Sequence, residues 1–516
     1  MNRPSPRVAL PRADWALGLA IAALTLVTRW PYRASLLPTW DAVQFALALR
    51  EYDVVKHQPH PPGYILYVAL GRLAERVAGD PAAALGLAVS PLFWTYSVIG
   101  LSYAVEAALA TGIAVSAWAM RHGDRRALVG SAVLLGLAGG VRQSMLLILC
   151  PLWLGMAWRG FRRPGPVLAG LGLVLLTTAS WLGPMLWLTG VARYVAASVE
   201  LYESTVRGTT VLGGGGLRNV IGLAEAFLLG LGVFLPVLIW GLRRGPAGLA
   251  RGDDRAVFFA LWVLPALAIY ALVHLGQAGY LLTFLPACYL LVGRSLVELA
   301  PRAWSVVRPQ SARAALVGLA LVAAFTAHVA FFTLAGPVDA PRLDAAAAWP
   351  ARLSAELRAL YRFRLWSHTA GGLREQQAVI GDYVAAIRRE FDPRDTVLVT
   401  ELGNPRSYPW FRHVMYYLPE YATYHLRLGE LAPGYLASRE LPSMAAVAER
   451  SVPLPAATRR LVWVVDEWHP DLARPAALAV RSLPHGRSLY VLRVRGGAVD
   501  HAGYQLVPVT TIARLR

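Results

Sequence analysis

Apolar runs of about twenty residues recur through the first 335 residues of this chain, and no other feature constrains its fold as strongly. A helix rising about 1.5 Å per residue needs roughly 20 such residues to cross the hydrocarbon core of a bilayer. Runs of this kind fall near 13–29, 97–120, 126–141, 144–158, 166–189, 218–241, 256–274, 279–297 and 314–335, about nine spans in all. Several are short, and the pair flanking Gly139 to Ser144 reads equally as one broken helix. With 56% hydrophobic residues, 16% charged and a mean hydropathy of +0.45, the chain is too apolar for an ordinary soluble protein.

A formal charge of +19 raises the question of nucleic acid, but the basic residues are nearly all arginine and lie in the connections between apolar runs. Clusters at Arg121/Arg125/Arg126, Arg159/Arg162/Arg163, Arg243/Arg244/Arg251/Arg255 and Arg302/Arg308/Arg313 occupy alternate connections, on the same side as the N-terminus. The positive-inside bias accounts for them without a nucleic-acid partner and makes that side cytoplasmic. Residues 30–80, 190–217 and 274–279 then face outward, as does everything after the last span. The apolar segment 81–96 reads as interfacial or re-entrant, because a further crossing there would reverse every later loop. The run at 13–29 resembles a signal peptide without a cleavage site and is read as an uncleaved first span. The expectation is an integral multi-pass cell (inner) membrane protein with a cytoplasmic N-terminus.

Beyond residue 336 the composition becomes that of a water-soluble domain. Residues 371–391 carry apolar positions at helical spacing, and "TVLVTEL", "ATYHLRL", "RRLVWVVD" and "SLYVLRV" are strand candidates. The reading is a multi-span α-helical membrane bundle over 1–336 followed by a small extracytoplasmic α/β domain over 337–516. Cys150 and Cys288 lie in apolar runs and read as small hydrophobes.

One polar stretch interrupts the apolar half, "TWDAVQFALALREYDVVKHQPHPPGYILYV" at Thr39 to Val68, with the sole lysine, Lys56, at its centre. Asp41 opens an amphipathic segment suited to a helix lying at the membrane surface. The prolines of "KHQPHPPGY" then restrict the backbone, while Gly63 permits an unusual turn. Asp53 reads as a turn residue.

An aspartate just after the first span in a long external loop, followed by "HPPGY", resembles the GT-C superfamily of membrane glycosyltransferases, most closely the bacterial branch related to protein O-mannosyltransferases. "PLFWTY" with "YAVEA", "GGVRQS" and "GQAGYLLTFLP" are similar to further segments of that branch. The resemblance covers roughly the first 335 residues in scattered motifs, of which "HPPGY" is the most specific. It implies transfer of a sugar from a polyprenyl-phosphate donor to a glycan, lipid or protein acceptor outside the cytoplasm, with Asp41 as the catalytic base. A phosphodiester-activated sugar has a good leaving group, so the chemistry needs one base for the acceptor hydroxyl and cations for the phosphate. This differs from the two flanking carboxyl groups of hydrolytic glycosidases and gives inversion by single displacement. No cofactor is implied beyond the lipid-linked substrate.

Two departures stand out. Gln44 occupies a place where the family often has an acid, which weakens metal coordination or a carboxylate pair, and an extra hairpin of two spans is missing near 81–96. Lys56, His57, His60 and Arg142 are proposed contacts to the donor phosphate, with loop residues facing anionic headgroups as the plainer reading. Gln277 and Tyr280, with His274, bracket a short external turn suited to donor contact. Glu106 and Glu225 lie at membrane depth, where a carboxylate is functional or neutral and hydrogen-bonded. Tyr202, Glu203 and Arg207 suggest a lid. Glu401, Asp466 and Glu467 sit at strand ends and read as structural. Two rivals remain: a flippase for lipid-linked sugars, disfavoured by the lack of an internal repeat, and a non-catalytic protein of the same architecture.

Overall fold

Bilayer thickness fixes how long an apolar helix must be, and capping residues fix where each one starts. The computed structural model describes residues 23, 27, 30–78, 101–243, 245–303, 310–336, 366–402, 411–427, 434–437, 450–465, 467–469, 472–494 and 498–509. The segment 81–96, and the run 13–29 apart from residues 23 and 27, lie outside the described residues. Contacts divide the chain into two compact units, Met1–Arg33 with Pro61–Leu373, and Ala34–His60 with Arg374–Arg516. The sequence places one boundary near 336, with the whole first external loop in the bundle. The contacts group most of that loop with the C-terminal residues instead.

Helix α1 (Trp40–Arg50) belongs to the second unit. The first contains α2 (Ile65–Ala78), α3 (Tyr103–Met120), α4 (Arg125–Val141), α5 (Ser144–Phe161), α6 (Pro164–Thr189), α7 (Val191–Leu201), α8 (Gly216–Leu231), α9 (Leu235–Leu242), α10 (Asp254–Leu272), α11 (Leu285–Ala303) and α12 (Gln310–Leu334). Asp124 caps α4 by accepting from the Arg126 and Ala127 amides, and Asp253 caps α10. Pro164 sits in the first turn of α6, where its missing N–H costs nothing. Among the described residues, five helical stretches are long and apolar enough to cross a membrane: Tyr103–Met120, Ser144–Phe161, Pro164–Thr189, Gly216–Leu242 and Asp254–Leu272. The runs at 126–141 and 144–158 are two helices separated by Arg142 and Gln143. The run at 218–241 is interrupted at Gly232, whose φ of +49° favours glycine, before a 3-10 turn leads into α9. Close packing depends on small residues. A Cβ on Gly136 would collide with Thr177, which shows how closely α4 and α6 approach there.

In the second unit, α13 (Ala370–Glu390) leads into β1 (Thr396–Leu402), followed by α14 (Phe411–Tyr417), β2 (Ala422–Arg427), β3 (Gly434–Ala437), β4 (Ser451–Pro455), β5 (Arg460–Trp463), β6 (Ala479–Ser482), β7 (Ser488–Arg493), β8 (Val499–His501) and β9 (Tyr504–Val509). A six-stranded sheet has the order β3-β2-β1-β5-β7-β6, with β1 parallel to both β2 and β5 and the remaining pairs antiparallel. Alternation along β1 serves two cores. Leu398 packs with Val379, Tyr383 and Ile387 of α13, while Val397 and Val399 face Leu454 of β4 and Leu506 of β9 in the smaller sheet β4-β9-β8. The expected helix at 371–391 and all four expected strands are present.

Candidate functional site

Thr39 starts α1 by accepting a hydrogen bond from the Ala42 amide at 3.3 Å. This sets Asp41 in the first helical turn, where a carboxylate complements the helix dipole. The Asp41 side chain is 22% exposed, and its Oδ1 lies 3.9 Å from Nδ1 of His60. Gln44, fully buried, meets the same nitrogen through Oε1 at 2.5 Å. With its proton on Nδ1, His60 donates to Gln44 and keeps Nε2 as an acceptor. Gln44 is therefore an amide that orients the imidazole beside Asp41.

The turn before His60 is closed by its own backbone. Asp53 and Gln58 exchange two main-chain hydrogen bonds of 2.8 Å, and Asp53 Oδ1 accepts from the amides of Val55 at 2.9 Å and Lys56 at 3.2 Å. Asp53 is thus the turn residue that the sequence suggested. His57 adopts a left-handed φ of +55°, and the Gln58–Pro59 and Pro61–Pro62 bonds are cis. Lys56 Nζ is held by Glu51 at 2.6 Å on the exposed side of the turn.

Arg412 of α14, only 3% exposed, donates from Nη2 to the Lys56 carbonyl at 2.6 Å. Among the described residues it has no carboxylate partner, and burial pushes its guanidinium down to about 10. Burial, then the neighbouring His60 and Arg412, pushes His57 down to about 3. Near neutral pH, His57 therefore offers a phosphate a neutral N–H rather than a charge.

α1 is itself anchored within this unit. Trp40 meets Phe411 edge-on at 4.6 Å, Arg50 lies 5.1 Å over the Tyr416 ring, and Tyr417 Oη accepts from the Leu37 amide at 2.7 Å. Gln377 accepts from the amides of Ser35 at 2.7 Å and Leu36 at 3.2 Å.

The first unit gathers the other candidates. Arg142 ends α4, and its side chain is 8% exposed. Its Nη1 donates to Glu106 Oε2 at 3.1 Å, while Ser102 Oγ donates to Glu106 Oε1 at 2.6 Å. The guanidinium carbon lies 3.7 Å over the Tyr280 ring, a cation–π contact, with Tyr103 at 5.7 Å. Its remaining donors have no acceptor among the described residues, leaving them available to an anion. Gln277 begins the 3-10 turn that carries Tyr280, and Tyr280 packs at 5.2 Å from Tyr270 and 6.1 Å from His274. His274 is bonded to Thr209 at 2.7 Å and is pushed down to about 4, chiefly by burial.

The remaining candidates stay dispersed. Glu203 and Arg207 pair with each other at 2.7 Å, and both are exposed, as is Tyr202. Glu225 is half-buried in α8, Glu401 is buried in β1, and Asp466 lies outside the described residues. Among the described residues no three His, Cys, Asp or Glu side chains group as metal ligands. Sequence reasoning did not find Arg412, since no local signal ties residue 412 to residue 56. It found Glu106 and Arg142 separately without pairing them.

No protein-family model matches the chain, and no curated protein sequence matches it. Among solved structures the fold is similar to the crystal structure of ArnT from Cupriavidus metallidurans bound to undecaprenyl phosphate, at 14% identity and a TM-score of 0.51, covering 93% of this chain and 98% of that one. The apo state of the same protein aligns over the same shares at 15% identity and a TM-score of 0.47. The likeness is one of fold, and this chain builds it as a mostly helical bundle with a small strand-built C-terminal domain.

Proposed function

We propose that this protein transfers a sugar from a polyprenyl-phosphate carrier to an acceptor hydroxyl on the extracytoplasmic side of the membrane. The observation that carries the reading is Asp41, a partly exposed carboxylate fixed at a capped helix start with the His60 imidazole 3.9 Å away. Asp41 takes the proton of the acceptor hydroxyl, and the acceptor oxygen attacks the anomeric carbon. The bond from that carbon to the phosphate oxygen breaks, and the carrier leaves as a phosphate anion with inversion at the sugar. Arg142, with guanidinium donors to spare, stabilises the charge that develops on the phosphate, while Lys56, His57, His60, Gln277 and Tyr280 contact the donor. Likeness of fold to ArnT, crystallised with undecaprenyl phosphate, supports a carrier of that class. The alternation of arginine clusters supports an outward-facing Asp41.

The test is transfer from labelled polyprenyl-phosphate sugars in membranes containing the protein, with identification of the labelled product. Asp41→Asn is expected to lower turnover by about 10²–10⁴-fold while membrane insertion stays intact. Undiminished transfer by that variant removes Asp41 as the base.

A further inference from the structure

Within the first unit, α8, α9, α10 and α11 line an open cavity of about 740 Å³. Phe227, Leu238, Phe259, Leu267 and Leu291 form apolar walls, and Arg251, Arg255 and Arg294 line it as well. The arginine end lies at the start of α10, whereas His274 and Tyr280 follow the other end of that helix. From Arg255 to Leu267 the trough runs along twelve residues of α10, about 18 Å at the helical rise and close to the length of an extended fatty acyl chain. Glu298 occupies Arg294 at 3.0 Å, and Asp253 is used in capping α10, where it accepts from the Arg255 amide at 3.3 Å. Neither the Arg251 nor the Arg255 guanidinium has an ion-pair partner among the described residues.

Any membrane protein is wetted by lipid, and apolar walls alone select nothing. Two unpaired guanidinium groups at one end of an 18 Å apolar trough do select, because they favour a ligand with an anionic head and a hydrocarbon tail. We propose that this recess binds an anionic glycerophospholipid, with its phosphate headgroup on Arg251 and Arg255 and one acyl chain along α10. A zwitterionic lipid brings a cation of its own to the same two arginines and is the weaker ligand. The assignment is independent of the sugar-transfer reading, since it uses none of the residues around Asp41 or Arg142.

Native mass spectrometry of the full-length protein in detergent, titrated with phosphatidylglycerol and with phosphatidylcholine of the same acyl chains, tests this. Phosphatidylglycerol is expected to bind more tightly. Arg251→Gln and Arg255→Gln should each weaken it about fivefold, and the pair about thirtyfold, without moving phosphatidylcholine. Both residues are exposed, so folding is spared. Ala260→Trp, which fills the trough and leaves the arginines untouched, should weaken phosphatidylglycerol as well. Equal binding of the two lipids, or unchanged phosphatidylglycerol affinity in either the double arginine variant or Ala260→Trp, overturns the proposal. Undecaprenyl phosphate displacing phosphatidylglycerol from the wild type at equimolar concentration, through the same two arginines, overturns it too by giving the recess to the carrier.

Discussion

Arg142 and Glu106 share one buried ion pair at 3.1 Å, and the consequences of losing either follow from desolvation. A charge left without its partner in a low-dielectric surrounding costs about 3–5 kcal/mol, whereas removing both charges costs far less. Glu106→Gln and Arg142→Gln are therefore each expected to destabilise the protein by about that amount, and the double variant by clearly less than their sum. Unfolding in detergent across the four-member cycle measures this, and simple additivity would refute the coupling. The sequence shows Glu106 at membrane depth and Arg142 between two apolar runs, and charges so placed need partners. It does not say which partner, because residues 36 positions apart acquire a register only when α3 and α4 pack. Gln44 misleads in the other direction: as a letter it is a missing acid, and in the fold it is the group that orients His60.

Elements were legible wherever one local force sets their length. Bilayer thickness gave the apolar helices, and short runs of β-branched, aromatic and leucine residues gave β1, β2, β5 and β7. The association of residues 34–60 with the C-terminal unit was not legible, because it rests on contacts such as Leu37 to Tyr417, 380 residues apart. Arg412 joins α14 to the Lys56 carbonyl and so holds the closed turn that ends at His60. Arg412→Met keeps most of the side-chain volume and removes this charge-assisted bond, worth about 1.5–3 kcal/mol. Amide exchange across residues 51–60 should accelerate accordingly, while exchange in β5 and β7 should not change. Unchanged protection of the turn would show that Arg412 does not hold it.

At the scale of the whole molecule the second unit should lose stability in acid. In the second unit burial holds His57 near 3, His501 near 4 and His425 well below its ordinary value, whereas an unfolded chain binds these protons near pH 6.5. Between about pH 6.5 and 4 the unfolded state therefore carries more protons, so stability falls as pH falls, by up to about 1.4 kcal/mol per pH unit for each histidine. Exchange protection of β1, β5 and β7, corrected for intrinsic rates, should be lower at pH 5 than at pH 7. Equal protection would contradict the buried neutral histidines. The discontinuity of this unit also has a consequence in time. Synthesis at about 5–20 residues per second separates the emergence of His60 from that of Arg374 by roughly 15–60 s. Throughout that interval Trp40 lacks Phe411 and the Lys56 carbonyl lacks Arg412, so the segment bearing Asp41 meets proteases and chaperones before it meets its own support. The part of the chain that carries the proposed chemistry is made long before the part that completes its fold.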